Sequence, residues 1–172
     1  ESFEAPENTL ASINLAWKKG ADALEIDVHL SKDNHVVVIH DSTLKRLCGI
    51  NKKVKNLTLS ELKNIDVGLW KNVDFANERI PTLKEVLQTI PNNGKLIIEI
   101  KCDSKILPHL KKDLESSNVS TSQVEIISFK FRVLKKAKKI MSHYKILYLV
   151  NFDYNLYTRL LGIFREKLIS KV

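Results

Sequence analysis

The chain has 172 residues, 44% hydrophobic and 28% charged, which is the balance of an ordinary soluble globular domain. No stretch approaches the ~18 consecutive apolar residues of a membrane span. Cys48 and Cys102 lie far apart without a CxxC spacing, so neither a zinc site nor a disulfide framework is indicated. The net charge of +8 favours anionic partners, but no aromatic residues interleave the lysines, so no nucleic-acid partner is expected.

The predicted elements alternate between helix and strand along a single domain, residues 1–172. The helices are 6–19 and 81–90 (each with a proline in its first turn), 58–65 with a capping pattern, 104–117, 130–142 and the remainder after 150. The strands are 23–30, 35–40, 95–101, 124–129 and 145–150. This alternation favours a parallel sheet covered by helices, and periodicity leaves open whether the sheet closes into a barrel.

The first strand, "ALEIDVHL", carries polar residues at every second position. Glu25, Asp27 and His29 share one face because alternate side chains of a strand point the same way. The two carboxylates lie roughly 6.6 Å apart along the strand at ~3.3 Å per residue. They can therefore converge on one hard divalent cation. We assign His29 a structural role.

Two further strands of the prediction carry polar residues near their ends. His40 ends the second strand and Asp41 follows it, while Glu99 and Lys101 share a face of the strand "LIIEIK". Catalytic groups of α/β folds collect at strand ends. Three carboxylates, an imidazole and an amine could form a metal-assisted phosphoryl or acyl transfer site.

Each of these features also has a purely structural interpretation. Glu25 and Asp27 could be a solvated face of an edge strand, His40 a surface residue, and Glu99 with Lys101 a weak ion pair. The recurrence of such strands in one α/β chain favours a common, functional explanation.

With these motifs the chain resembles the glycerophosphodiester phosphodiesterase family. The likeness lies in "PENT" (residues 6–9), Glu-x-Asp at 25–27, "HD" at 40–41, "IPTLKEVL" at 80–87, Glu-x-Lys at 99–101 and "ISF" at 127–129. The resemblance implies a (β/α)₈ barrel, of which the chain covers part. It also implies hydrolysis of glycerophosphodiesters to sn-glycerol 3-phosphate and an alcohol, in lipid metabolism.

The same resemblance implies a role for each site residue. Glu25, Asp27 and Glu99 would ligate Mg²⁺ or Ca²⁺, His40 would be a general acid/base, and Lys101 would contact the substrate phosphate. The implied partner is a small glycerophosphodiester, with peripheral membrane contact left open. We expect a cytoplasmic location. Because the first residue is Glu1 and not methionine, we also expect the native start to lie elsewhere. A signal peptide that is removed is one alternative.

Two departures from the family pattern keep other functions open. The family's "HRG" motif, with its second acid/base histidine, does not precede "PENT", and the closing strands are not recognisable, so we expect parts of a longer chain to be missing. The alternatives are a lysophospholipase D on the same barrel and a degenerate barrel that only binds phosphate or lipid head groups.

Overall fold

One twisted sheet organises the part of the chain that the computed structural model describes, which is residues 2–150 and the backbone of Ile169–Lys171. Its strands run in the order β2-β1-β3-β4-β5-β6. They are β1 Ala23–Leu30, β2 Val36–Val38, β3 Lys95–Ile100, β4 Val124–Ser128, β5 Lys145–Leu149 and β6 Ile169–Lys171.

The central strands pair as the sequence predicts, and the two outer ones do not. β1, β3, β4 and β5 are parallel neighbours, but β2 runs antiparallel to β1 as the second arm of a hairpin. The prediction of strand 35–40 was therefore too long, and His40 lies beyond the strand instead of ending it. β6 pairs antiparallel with β5, so the predicted helical remainder is wrong for its last residues; residues 151–168 lie outside the described part.

The five helices predicted before residue 150 are present in the predicted order but begin later than predicted, and a sixth, short helix was not predicted. The six are α1 Leu10–Lys18, the unpredicted α2 Lys45–Cys48, α3 Leu59–Lys63, α4 Leu83–Leu87, α5 Leu107–Glu115 and α6 Phe131–Ile140. Short 3₁₀ turns cover Val54–Asn56, Val73–Phe75, Ser104–Ile106 and Thr121–Gln123. The capping pattern predicted for 58–65 is confirmed, because Thr58 and Glu61 form a reciprocal capping box at the start of α3.

The two prolines expected in first helical turns lie outside their helices instead. Pro6 precedes the N-cap Thr9, whose hydroxyl donates to the Pro6 carbonyl at 2.7 Å. Pro81 precedes the N-cap Thr82, and its carbonyl accepts the N–H of Val38 at 2.8 Å. The Pro81 carbonyl thus accepts a hydrogen bond from a backbone N–H of the edge strand β2. Rules for local helix capping do not predict this contact.

The sheet has a helix-covered face and an inner face of different composition. On the covered face, aliphatic side chains of the central strands pack against α1, α4, α5 and α6; they include Ile26, Val28, Leu96, Ile98, Ile100, Val124 and Ile126. On the inner face, Ile97, Ile127, Leu147 and Leu149 form a small apolar cluster beside the polar residues of β1. The burial on both faces explains why these strands read as nearly continuous aliphatic runs.

Residues 41–80, for which the sequence predicts little regular structure besides the helix 58–65, form a second small core with the end of the β2 segment. Its buried members are Val37, Ile39, Leu44, Leu47, Val54, Leu57, Leu62, Val67 and Ile80. This lobe packs against the β1–β2 hairpin and positions the segment that contains His40.

Among the described helices, none combines the length and the apolar content needed to cross a bilayer.

Candidate active site

Three carboxylates meet on the inner face of the sheet because of the register between β1 and β3. Asp27 and Glu99 are direct partners across these parallel strands, and Glu25 lies one same-face step before Asp27. One ligand oxygen from each of the three lies within 4.8 Å of the others. Asp27 and Glu99 are buried, at 4% and 8% exposure, whereas Glu25 stays open to solvent.

Asp27 is held by an asparagine from the loop before α1. Asn8 Nδ2 donates to Asp27 Oδ2 at 2.9 Å, and the backbone N–H of Asp27 donates to Asn8 Oδ1 at 3.1 Å. The other oxygen, Asp27 Oδ1, is buried and accepts no hydrogen bond from the described residues, and its charged neighbour is the ammonium of Lys101 at 3.3 Å. A buried carboxylate oxygen is costly unless positive charge compensates it, and a bound cation would do so more fully.

Lys101 supplies positive charge to the carboxylate cluster from just beyond the end of β3. Its Nζ lies 3.3 Å from Asp27 Oδ1 and 3.1 Å from Glu99 Oε1. Burial opposes the charge of Lys101, but the two carboxylates outweigh burial, so the pKa of this lysine is raised. Lys101 therefore remains an ammonium group at the site.

The pKa of Glu25 is raised to about 7, first because its surroundings deprive the carboxylate of hydration. The neighbouring charges of Asp27 and Glu99 raise it further, and Lys101 and His40 only partly offset them. A bound cation would oppose both effects and favour the charged form of Glu25.

His40 is oriented by a chain of charged groups that leads away from the carboxylates. Its Nδ1 lies 2.7 Å from Asp41 Oδ1, and Asp41 Oδ2 accepts from Arg46 Nε at 2.7 Å. Arg46 also pairs with Glu7. A carboxylate partner requires the proton on Nδ1, so the neutral imidazole presents an unprotonated Nε2. That Nε2 lies 3.4 Å from Lys101 Nζ, toward the cluster.

His29 contacts the backbone of His40 and does not belong to the acidic cluster. It is buried, and its Nε2 lies 3.2 Å from the backbone carbonyl of His40. Burial lowers the pKa of His29, and the nearby Lys130 and Lys101 lower it too. A neutral imidazole that donates to the His40 carbonyl agrees with the structural role expected of it.

The structure brings the five predicted site residues together in one cluster. Glu25, Asp27 and His40 line a cavity of about 450 Å³. Lys101 joins them to Glu99, because its Nζ lies close to both Asp27 and Glu99 and 3.4 Å from His40 Nε2. The converging carboxylates and the unsatisfied oxygen of Asp27 suit a hard divalent cation, whose preferred ligands are oxygens. Sequence reasoning missed the parts played by Asn8 and Arg46. "PENT" was noted as a motif, but nothing local showed that its asparagine reaches Asp27.

Comparison with known proteins supplies a family for this arrangement. The chain matches the model of the glycerophosphoryl diester phosphodiesterase family over residues 2–169. It is 40% identical over 150 residues to a glycerophosphodiester phosphodiesterase of Caldanaerobacter subterraneus, an alignment that covers 85% of this chain and 62% of that protein. It is also 39% identical over 107 residues to a human lysophospholipase D, with 59% of this chain and 34% of that protein covered.

A solved structure shows the same fold. A phosphodiesterase of Oleispira antarctica, in complex with its product sn-glycerol 3-phosphate, superposes with a TM-score of 0.84 at 32% identity. The superposition covers 93% of this chain and 67% of that one. The predicted barrel type, of which this chain covers a part, is confirmed. The chain spans about three-fifths of the length of the Caldanaerobacter relative.

Proposed function

Because the chain belongs to the glycerophosphoryl diester phosphodiesterase family, we propose that its protein hydrolyses glycerophosphodiesters with the help of a divalent cation. The products would be sn-glycerol 3-phosphate and an alcohol. The observation that carries the proposal is the meeting of Glu25, Asp27 and Glu99 beneath Lys101 and His40. The similarity to a phosphodiesterase that holds sn-glycerol 3-phosphate supports it.

Glu25, Asp27 and Glu99 would hold the cation, Mg²⁺ or Ca²⁺. A cation there would neutralise phosphodiester oxygens and stabilise the charge that builds in the transition state. Asn8 binds Oδ2 of the Asp27 carboxylate, so that Oδ1, which faces the ammonium of Lys101, would be the atom that ligates the cation.

His40 would move the proton. Its unprotonated Nε2 can accept a proton from an attacking hydroxyl and can later return it to a leaving oxygen. Asp41 accepts from Nδ1 and stabilises the ring when it becomes positively charged. Asp41 is well suited to this because Arg46, then His40, holds the pKa of its carboxyl below its ordinary value.

Lys101 would bind the phosphate. In the described structure its ammonium contacts Asp27 and Glu99. Once a cation satisfies those carboxylates, the ammonium is free to donate to a phosphoryl oxygen nearby.

The proposed substrates are small glycerophosphodiesters such as glycerophosphocholine and glycerophosphoethanolamine, which would place the protein in lipid metabolism. The cytoplasmic location and peripheral membrane contact stay predictions.

The test is release of sn-glycerol 3-phosphate from glycerophosphocholine by the full-length protein, with Mg²⁺ or Ca²⁺ and with a chelator. We expect the chelator and Glu25→Gln to abolish turnover, and His40→Ala to reduce kcat by about 10²–10⁴-fold. Glu115→Gln on α5 removes an exposed carboxylate far from the site and should leave turnover unchanged. Full activity of the Glu25 or His40 variant would refute the assignment.

A second candidate is a lysophospholipase D, favoured by the 39% identity to the human enzyme of that name. The two are separated by offering the same full-length protein glycerophosphocholine and lysophosphatidylcholine. Turnover confined to the substrate that keeps its acyl chain would select the second candidate.

A further inference from the structure

A second cavity, of about 500 Å³, lies beside the carboxylate cluster and is lined by lysines. Besides Lys101, it contains Lys32, Lys53, Lys55, Lys105 and Lys130. We call this cavity the basic pocket.

The basic pocket lies where the parallel strands end. Lys32 follows β1, Lys105 follows β3 and Lys130 follows β4. Lys53 and Lys55 belong to the lobe built around the second small core, between α2 and α3. The N–H of Lys32 donates to the Leu57 carbonyl at 2.8 Å, which holds that lobe against the end of β1. Carboxyl ends of parallel strands are the usual ligand-binding edge of α/β folds.

The basic pocket adjoins the proposed reaction centre through one residue, Lys101. Lys101 lines the pocket and also contacts Asp27 and Glu99. Lys130 Nζ donates to the backbone carbonyl of Lys101, which ties a second lysine of the pocket to the same residue. A group bound in this pocket would therefore lie adjacent to a phosphate held by Lys101.

Apart from Lys101, which contacts Asp27 and Glu99, the lysines of the basic pocket have no carboxylate partner in the part of the chain that the structure describes. Among the described residues, none of Lys32, Lys53, Lys55, Lys105 and Lys130 forms a salt bridge, although several lysines elsewhere do. The one carboxylate that lines the pocket, Asp103, accepts the N–H of Lys105 at 2.9 Å as a helix cap. Like charges gathered in a concave site repel one another and concentrate anions.

We propose that the basic pocket receives a second anionic group, carried by the leaving alcohol of the substrate. The preferred substrates are then glycerophosphodiesters whose alcohol bears a phosphate, and those with a cationic head group are poorer. This inference rests on the proposed function and specifies the kind of head group that the preferred substrate carries. A phosphorylated polyol fits a cavity of this size.

The experiment compares kcat/KM of the full-length protein for glycerophosphoinositol and for glycerophosphoinositol 4-phosphate, which differ by one phosphate. Wild type should prefer the phosphorylated substrate by roughly tenfold, the effect of one or two charge-assisted contacts. Lys53→Gln/Lys55→Gln should remove this preference, because kcat/KM for the phosphorylated substrate falls about tenfold more than kcat/KM for glycerophosphoinositol, mainly through KM. Rising salt should weaken the wild-type preference.

The matched control is Lys135→Gln/Lys138→Gln, which removes two exposed lysines from α6 outside the pocket. The control variant should keep the wild-type substrate preference. If both double variants reduce the preference equally, the preference depends on the net charge of the protein and the proposal is overturned. Lys105→Gln repeats the test from another element if the first double variant fails to fold.

Direct binding of inositol 1,4-bisphosphate, measured by calorimetry, separates this inference from the proposed function. Binding that Lys53→Gln/Lys55→Gln weakens, in a protein that hydrolyses none of the diesters, would support the pocket and refute the function. Turnover without any preference between the two inositol diesters would refute the pocket alone. Loss of binding to phosphatidylserine vesicles in the variant, with substrate preference unchanged, would assign these lysines to a membrane surface instead.

Discussion

Asn8 and Asp27 hold each other by two hydrogen bonds that couple a loop to the central strand. Asn8 donates to the Asp27 carboxylate and accepts from the Asp27 backbone, at 2.9 and 3.1 Å. The contact requires the left-handed backbone of Asn8, with φ of 55°, which asparagine tolerates better than most residues. The asparagine therefore orients a proposed metal ligand and attaches the loop before α1 to strand β1.

We predict that Asn8→Ala weakens divalent-cation binding about 10- to 100-fold, the usual cost of losing a group that orients a metal ligand. The substitution removes both side-chain hydrogen bonds to Asp27 and adds no charge to the site. Calorimetric titration with Mg²⁺ and Ca²⁺ measures the effect. Asn77→Ala, at another left-handed asparagine whose side chain contacts Arg79, is the control for backbone strain and should bind the cation normally.

For Lys101→Met we predict opposite effects on cation binding and on catalysis. Removing an ammonium 3.1–3.3 Å from two proposed ligands should tighten cation binding, because a competing positive charge is lost. The same change should lower kcat/KM, because the phosphate loses a charged donor. Weaker cation binding in this variant would contradict the arrangement, and Lys111→Met on α5 controls for loss of a surface charge.

Asp41→Asn should lower kcat by roughly 10- to 100-fold and leave KM nearly unchanged, because Asp41 touches His40 and not the substrate. The amide can no longer stabilise a positively charged imidazole or enforce a proton on Nδ1. Steady-state kinetics across pH measure the change. Asp74→Asn, at an exposed 3₁₀ turn, is the matched control. A change confined to KM would mean that Asp41 binds substrate.

The pKa of Glu25, raised to about 7, predicts how pH affects stability without a cation. A carboxyl group with a raised pKa favours the folded state fully below its ordinary pKa near 4.5, and that contribution is lost as pH rises through about 7. In chelator, Tm should therefore fall between pH 5 and pH 8 more steeply in wild type than in Glu25→Gln.

A bound divalent cation should reverse this trend, because it requires the deprotonated carboxylate and so binds more tightly as pH rises. Thermal melts at pH 5 and pH 8, with and without Mg²⁺ or Ca²⁺, provide the measurement. Identical pH profiles for wild type and Glu25→Gln would contradict this account of the cluster.

Gly68→Ala should destabilise the loop in which Gly68 packs against the backbone of Phe75. An added Cβ would lie 2.0 Å from the Phe75 carbonyl oxygen. The backbone must move to relieve this steric clash. We expect a loss of about 1–3 kcal/mol in the free energy of unfolding, the range for overpacked sites, measured by urea denaturation. Leu69→Ala, next to it but 57% exposed, should change that free energy by less than about 0.5 kcal/mol.

Much of the sheet could be predicted because its signal is local. Aliphatic runs marked the central strands, and the alternation at Glu25 and Asp27 placed both on one face, as observed. The ends of elements were harder to predict. Pro6 and Pro81 look like first-turn residues, but the Pro6 carbonyl accepts from the N-cap Thr9 and the Pro81 carbonyl accepts from the distant Val38.

The sequence by itself determined which residues line each face of the strands, since a period of two is a property of the backbone. Only the tertiary structure decided that Asp27 and Glu99 are register partners, that β2 turns back antiparallel, and that lysines from separate segments share one pocket. These facts depend on contacts between residues far apart in the chain. Such contacts are fixed by how the whole sheet and its loops pack, and no local pattern encodes them.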